Sequence, residues 1–170
     1  MKQDLIDRIH AHDAVVGVVG LGYVGLPLAV EFSKAGFPVI GFDIDPDKVA
    51  SLEAGRSYIK HISSERIAAV LSAGNGVGAR ATSDFSRIDE CDALLICVPT
   101  PLTEHRDPDL TYVEATAESV APHLRSGQLV VLESTTYPGT TEDVLVPILE
   151  KGSGLAVGTD FFVAYSPERE

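Results

Sequence analysis

The sequence predicts an α/β fold in which a doubly wound, mainly parallel sheet of six strands carries helices on both faces. Short apolar runs alternate with helix-like segments along the 170 residues, and the runs are apolar on both faces. Such strands are typical of a parallel sheet that is covered on both sides. Six strands in this alternation suit the Rossmann-type order 3-2-1-4-5-6. We therefore expect residues 1–170 to form one domain.

The strands are predicted from apolar runs bounded by glycine, proline or polar residues. They are residues 15–20, 38–43, 79–82, 93–98, 128–133 and 161–166. A glycine-rich break at 74–78 precedes the third strand. Prolines 99, 101 and 108 enforce a loop after the fourth strand, because proline lacks the N–H that a sheet or helix interior needs.

The helices are predicted from capping and stop signals. They are residues 23–35, 45–54, 64–73, 111–124 and 140–150. Asp45-Pro46 is a typical helix start, and Gly36 and Gly55 are typical helix ends. Thr111-x-x-Glu114 has the spacing of a capping box, and Thr140-x-x-Asp143 predicts a side-chain cap for the last helix.

Composition and charge exclude several partners. The net charge is −12 and the 13 Lys and Arg residues do not cluster, so we expect no nucleic acid partner. No apolar run reaches the roughly 18 residues of a membrane span, so no membrane partner is expected. Cys91 and Cys97 would lie about 20 Å apart along a strand, too far for a disulfide, which fits a reducing cytoplasm. The histidines have no metal-ligand spacing, and no metal is expected.

The motif G-x-G-x-x-G follows the first strand directly and opens the first predicted helix, with Tyr23 and Val24 between its last two glycines. Gly20 permits a tight turn, Gly22 lets the backbone approach a pyrophosphate, and Gly25 lets the helix pack closely. The N–H groups of the first helical turn would then face the diphosphate of a dinucleotide. This context, rather than the glycines alone, predicts a dinucleotide site.

Asp43 ends the second strand, 18 residues after Gly25. A carboxylate there can accept hydrogen bonds from both ribose hydroxyls of an adenosine and would repel a 2′-phosphate. The next two residues, Ile44 and Asp45, do not neutralise such a phosphate, so the sequence favours NAD over NADP. Lys48, one helical turn further, could reach the ribose or the diphosphate.

Three stretches follow later strands, where ligands bind in sheets of this kind. Pro99 and Thr100 follow the fourth strand and could wall the nicotinamide side. Ser134 and Thr135 follow the fifth strand, and their hydroxyls could bond the nicotinamide ribose or a water. Glu168 follows the sixth strand and could touch cofactor or substrate.

Five segments in this order resemble the N-terminal domain of the UDP-sugar 6-dehydrogenases, which act on UDP-glucose, UDP-N-acetylglucosamine or UDP-N-acetylmannosamine. The segments are GLGYVGLPLA, GFDIDPDKV, CVPTPL, ESTTYPGTT and AYSPE, and the resemblance covers residues 14–170. It implies an NAD-dependent oxidation of a sugar C6 alcohol to a carboxylate in two hydride transfers. The 104–110 loop and the SPER ending are more similar to the N-acetylhexosamine branch.

The resemblance also implies roles for individual residues. The 20–25 loop, Val24 included, would bind the diphosphate, and Asp43 and Lys48 the adenosine ribose. Thr100 and Thr135 would border the nicotinamide half, and Thr135 with Glu168 is similar to the family's pair near the hydrolytic water. The family further implies polysaccharide biosynthesis and a full-length homo-oligomer.

The family's nucleophilic cysteine and most of its sugar site lie beyond residue 170, and neither Cys91 nor Cys97 matches that cysteine's motif. We therefore expect a fragment that binds NAD without turnover, with the UDP-sugar bound only by the full-length protein. Two alternatives stay open at this point. One is the cofactor domain of a hydroxyacid or 6-phosphogluconate-type dehydrogenase, and the other is a non-catalytic NAD redox-sensing domain.

Overall fold

A computed structural model describes residues 1–71, 78–102 and 108–167 of the chain. Six strands form one sheet in the order β3-β2-β1-β4-β5-β6, and every neighbouring pair is parallel. They are β1 (Val16–Val19), β2 (Val39–Phe42), β3 (Ala79–Thr82), β4 (Ala93–Ile96), β5 (Leu129–Ser134) and β6 (Phe162–Pro167). The predicted strand number, order and direction are confirmed.

The helices of the described chain lie where the capping and stop signals placed them, with one addition at the N-terminus. They are α1 (Lys2–Ala11), α2 (Gly25–Lys34), α3 (Pro46–Glu53), α4 (Ser64–Leu71), α5 (Thr111–Val120) and α6 (Val146–Ser153). Short 3₁₀ helices cover Phe85–Glu90 and Ala121–His123, and Thr140–Leu145 is wound as a π-helix. The end of the predicted 64–73 helix and most of the 74–78 break lie outside the described residues.

The sheet separates two apolar cores. Helices α2, α3 and α4 cover one face, and α5, α6 and the 3₁₀ helix Phe85–Glu90 cover the other. Neighbouring residues of β4 point to opposite cores: Leu95 packs on the α2 side, whereas Leu94 and Ile96 pack on the α5 side. Burial on both faces explains why the strands are apolar throughout.

Strand β1 lies between β2 and β4. From β1 the chain builds β2 and β3 outward on one side, and it then crosses back to build β4, β5 and β6 outward on the other side. The loops that follow β1 and β4 therefore diverge and leave a crevice at the carboxyl ends of these strands. Ligands of doubly wound sheets bind at such a switch point. The topology alone thus selects the edge of the sheet where the site is expected.

Only one of the three predicted side-chain caps forms. The Asp45 carboxylate accepts hydrogen bonds from the backbone N–H groups of Asp47 and Lys48, and Pro46 is the first residue of α3. The predicted capping box at Thr111 is wrong. Asp109, two residues earlier, accepts from both the N–H and the hydroxyl of Thr111, so Thr111 is the first helical residue and not the cap.

The predicted cap at Thr140 is also wrong. Its hydroxyl donates to the Tyr137 carbonyl oxygen over 2.9 Å instead of turning toward Asp143. Gly139, with a φ of 96°, occupies the N-cap position, so this helix has no side-chain cap. The Asp143 N–H donates to the Gly139 carbonyl oxygen, a bond of α-helical spacing at the start of the π-helix.

The buried carboxylate of Asp92 lies at the end of the sheet where the parallel strands begin, here called the amino edge, and holds this end together. It accepts hydrogen bonds from the Val15 N–H and the Arg125 guanidinium, each over 2.8 Å, and from the guanidinium of Arg8 in α1. The buried side chain of Gln128 accepts from the Arg125 N–H. This network attaches α1, which the sequence analysis did not predict, to the rest of the domain.

Both cysteines are buried, and neither is joined in a disulfide within the described residues. Burial, together with the neighbouring carboxylates of Glu90 and Asp92, raises the pKa of Cys91 to about 12. Its thiol is therefore neutral at physiological pH and chemically inert.

Replacing Asp92 by alanine is expected to destabilise the domain by about 2 to 4 kcal/mol, because it leaves two guanidinium groups and a buried N–H without their acceptor. Asp13→Ala is the matched control, since Asp13 also pairs with Arg8 but its side chain is 64% exposed. The control should cost less than about 1 kcal/mol. Urea unfolding measures both, and equal midpoints for the two variants would contradict the account.

Candidate functional site

A cleft of about 500 Å³ opens at the carboxyl ends of β1, β2, β4 and β5. Ten of the eleven residues predicted to bind the cofactor line it, and they come from four separate strand ends. These residues are Gly20, Gly22, Tyr23, Val24, Asp43, Lys48, Pro99, Thr100, Ser134 and Thr135. The eleventh, Gly25, is the first residue of α2, directly beside the cleft. The structure thus brings the sequence-predicted residues together at the switch point.

Each glycine of the loop is required for a different reason. Gly20 has a φ of 93°, which favours glycine, and a Cβ there would lie 2.7 Å from the Cys97 carbonyl oxygen. A Cβ on Gly25 would lie 1.9 Å from the Gly20 carbonyl oxygen, so the loop closes only without one. A Cβ on Gly22 would meet no atom within 4 Å. Gly22 therefore leaves space that the protein itself does not use.

Helix α2 points its N-terminus at this space. No side chain caps the helix, and its first turn contains no acidic residue. The positive end of the helix dipole and the N–H groups of the first turn are therefore not neutralised by a carboxylate of the helix. Such an arrangement is typical of a site for a phosphate group.

Asp43 lies directly after β2 and is buried. Its Oδ2 accepts the Leu21 N–H over 2.9 Å and the Lys48 ammonium over 3.2 Å, and its Oδ1 accepts the Asp45 N–H over 3.0 Å. Each carboxylate oxygen has two lone-pair directions, so Oδ1 can accept one more hydrogen bond. The carboxylate fixes the glycine loop and keeps acceptor capacity for a hydroxyl.

The predicted residues after β4 and at the end of β5 contact one another. The Thr100 hydroxyl donates to the Thr135 carbonyl oxygen over 3.1 Å and accepts from the Ser134 hydroxyl over 3.1 Å. These bonds tie two strand ends into one polar wall of the cleft. Ser134 and Pro167 are still part of β5 and β6, so both strands run slightly further than predicted, and Glu168 lies outside the described residues.

The sequence analysis missed several residues that line or support the cleft. Ile44, Phe85, Tyr112 and Glu133 line the cleft, with Ile44 83% exposed. Ile44, Phe85 and Glu133 stand at strand ends, and that position could have identified them. Tyr58 has no such signal, because it lies 37 residues from the Leu21 carbonyl oxygen to which its hydroxyl donates.

Metal-ligand clusters and membrane-spanning helices are both absent from the described ranges 1–71, 78–102 and 108–167. Within them no group of three or more His, Cys, Asp or Glu side chains could hold a metal ion. The same ranges contain no helix with the length and apolar character needed to cross a membrane.

Comparison with known proteins identifies the family. The sequence model of the UDP-glucose/GDP-mannose dehydrogenase family, NAD binding domain, matches residues 14–170. The UDP-N-acetyl-D-glucosamine 6-dehydrogenase of Pseudomonas aeruginosa is 45% identical over 157 residues, which cover 92% of this chain and 36% of that protein. The UDP-N-acetyl-D-mannosamine dehydrogenase of Escherichia coli K12 is 40% identical, over 92% of this chain and 37% of that protein. The chain thus spans little more than a third of these relatives.

Solved structures agree with the sequence comparison. The NDP-N-acetyl-D-galactosaminuronic acid dehydrogenase of Methanosarcina mazei superimposes with a TM-score of 0.86 at 38% identity, over 99% of this chain and 37% of that one. The UDP-D-ManNAc dehydrogenase of Pyrococcus horikoshii gives 0.83 at 38% identity, over 92% of this chain and 36% of that one. A diketoreductase at 16% identity, with a TM-score of 0.56, shares the fold alone.

The family match covers nearly the whole chain, and it decides against the two alternative interpretations, the hydroxyacid-type dehydrogenase and the redox-sensing domain. The chain belongs to the UDP-glucose/GDP-mannose dehydrogenase family and represents its NAD binding domain.

Proposed function

We propose that residues 1–170 act as one domain that holds NAD in the cleft for the oxidation of a UDP-sugar C6 alcohol to a carboxylate by the whole protein. The observation that carries the proposal is the open space at Gly22 in a cleft that Asp43 also lines, with Gly22 just before the uncapped start of α2. A diphosphate suits the start of α2, and a ribose suits the Asp43 carboxylate.

The proposed diphosphate subsite is built from the loop Gly20–Gly25 and the first turn of α2. Because Gly22 has no side chain, a phosphate oxygen can approach the backbone N–H groups directly. In this proposal the backbone N–H groups of the loop serve as the hydrogen-bond donors, and the helix dipole adds a favourable potential for a dianion. The family's NAD fits these features of the chain.

The proposed adenosine subsite explains the choice of NAD. Oδ1 of Asp43 can accept a ribose hydroxyl, and its negative charge disfavours a 2′-phosphate. Lys48 is the nearby cation, but its ammonium is already paired with Asp43. Ile44 and Phe85 offer apolar surface beside this carboxylate for a flat base.

The proposed nicotinamide subsite is the polar wall made by Thr100, Ser134 and Thr135. Bound NAD would supply the acceptor for the hydride that leaves the sugar carbon. The residues of the wall orient that half of the cofactor, and we propose that Thr135 also acts with Glu168 on the water that completes the oxidation. Pro99 keeps the loop after β4 away from the sheet, because proline cannot extend the strand.

We propose a UDP-N-acetylhexosamine as the substrate of the whole protein. Support comes from the names of the relatives in P. aeruginosa and E. coli, each about 40% or more identical to the chain.

The rest of the proposal follows the family resemblance: a homo-oligomer, polysaccharide biosynthesis and a cytoplasmic location. The two buried cysteines, which are not joined in a disulfide, support a reducing compartment, and the net charge of −12 argues against a nucleic acid partner.

Gly22→Ala tests the diphosphate subsite. The new methyl group meets no protein atom, so the thermal midpoint should stay within about 2 °C, while NAD binding should fall at least about tenfold because the methyl group occupies the phosphate's space. Gly25→Ala is the contrasting variant and should lower the midpoint, since its Cβ would clash with the Gly20 carbonyl oxygen. Calorimetric titration measures affinity, and full NAD binding by a folded Gly22→Ala chain would refute the subsite.

Asp43→Asn tests the adenosine subsite. The amide oxygen can still accept from the Leu21 N–H, but the negative charge is lost. We expect NAD to bind about tenfold more weakly and the preference over NADP to shrink, because a hydrogen bond to a charged acceptor contributes about 1.5 to 3 kcal/mol. Competition between the two cofactors measures the preference, and an unchanged NAD-to-NADP ratio would contradict the assignment of Asp43. Asp47→Asn, on the exposed side of α3, is the control.

A further inference from the structure

The connector between α3 and α4, residues 54–63, is held firmly against the domain. Ile59 and Ile62 are both 4% exposed and belong to the apolar core on the α2 side. The Ser57 side chain closes a tight turn by accepting the Ile59 N–H over 3.1 Å, and the Ser57 N–H donates to the Ser64 hydroxyl. The connector is therefore a fixed support rather than a loose loop.

This support carries Tyr58 to the glycine loop. The phenol packs against the same apolar core, and its hydroxyl donates to the Leu21 carbonyl oxygen over 2.6 Å. Burial raises the pKa of Tyr58 above its usual range, and the carboxylates of Asp43 and Asp45 raise it further. The hydroxyl is therefore protonated and able to donate at neutral pH.

Leu21 is consequently held from three sides. Its N–H donates to Asp43, its carbonyl oxygen accepts from Tyr58, and its side chain is 1% exposed and packs over Gly41. A Cβ on Gly41 would lie 2.8 Å from the Leu21 side chain, so this close packing needs glycine at position 41. The next residue is Gly22, which lines the cleft.

The planar peptide bond transmits this restraint to Gly22. No cis peptide occurs in the described chain, and in a trans peptide the carbonyl and the following N–H point in opposite directions within one plane. Since Tyr58 fixes the Leu21 carbonyl, it also fixes the Gly22 N–H, which points away from Tyr58. Gly22 lines the cleft, whereas Tyr58 and Leu21 do not.

We propose that Tyr58 is a positioning residue for the cofactor's diphosphate, and that it acts through the Leu21–Gly22 peptide without touching the cofactor. The proposal rests on the proposed NAD site. It predicts that the hydroxyl of Tyr58 affects the phosphate-binding N–H of Gly22 but not the adenosine subsite, which Asp43 and its neighbours form.

Tyr58→Phe removes the hydroxyl and keeps the ring that packs on the core. NAD should bind this variant about threefold to tenfold more weakly, as the loss of one neutral hydrogen bond implies, while adenosine, which has no phosphate, should bind as in the unmodified chain. Amide NMR titration measures both ligands, including weak binding of adenosine. Tyr137→Phe is the matched control, because Tyr137 is 47% exposed and does not line the cleft.

Amide NMR relaxation in the ligand-free chain separates this proposal from the proposed function. The Gly22 amide should have a lower order parameter in Tyr58→Phe and an unchanged one in Tyr137→Phe, whether or not NAD binds. If the unmodified chain fails to bind NAD, the proposed function is wrong, and the order parameter of Gly22 still decides whether Tyr58 holds the loop. Equal losses for NAD and adenosine, unchanged NAD binding, or an unchanged order parameter at Gly22 would each overturn the role of Tyr58.

Discussion

The buried carboxylate of Asp43 is the interaction on which the cofactor site depends. It joins the end of β2, the glycine loop and helix α3, because it accepts hydrogen bonds from Leu21, Asp45 and Lys48. The donors belong to the glycine loop and to α3 with its N-cap, so the carboxylate sets the relative positions of these elements. Its Oδ1 has capacity for one more hydrogen bond. One buried charge thus organises the loop beside the subsite that we propose for the ribose.

A second buried carboxylate, Asp92, plays the corresponding part at the opposite edge of the sheet. It accepts hydrogen bonds from Arg8, Arg125 and the Val15 N–H, all of which belong to the protein. The amino edge is therefore cross-linked by internal hydrogen bonds, whereas the carboxyl edge has the uncapped N-terminus of α2 and the open space at Gly22. This division agrees with the general rule that doubly wound sheets bind ligands at the carboxyl ends of their strands.

The sheet and most of the site were predictable from the sequence, because both depend on local patterns. Strands apolar on both faces predict burial under two helical layers, and strand ends in a parallel sheet converge on one edge. The caps at Thr111 and Thr140 were mispredicted, because another acceptor lay within two or three residues and sequence spacing does not rank competing partners. Tyr58 was missed for a different reason: its partner, Leu21, is brought near only by the packing of Ile59 and Ile62.

Titration of the unmodified chain with NAD and then with NADP, followed by amide NMR, tests the central claim most directly, since it reports both affinity and location. The account predicts saturable NAD binding with shifts concentrated in Gly20–Gly25, Asp43 and the loops after β4 and β5, and much weaker binding of NADP. Equal affinity for the two cofactors, or NAD-induced shifts at the amino edge around Asp92 instead, would contradict it.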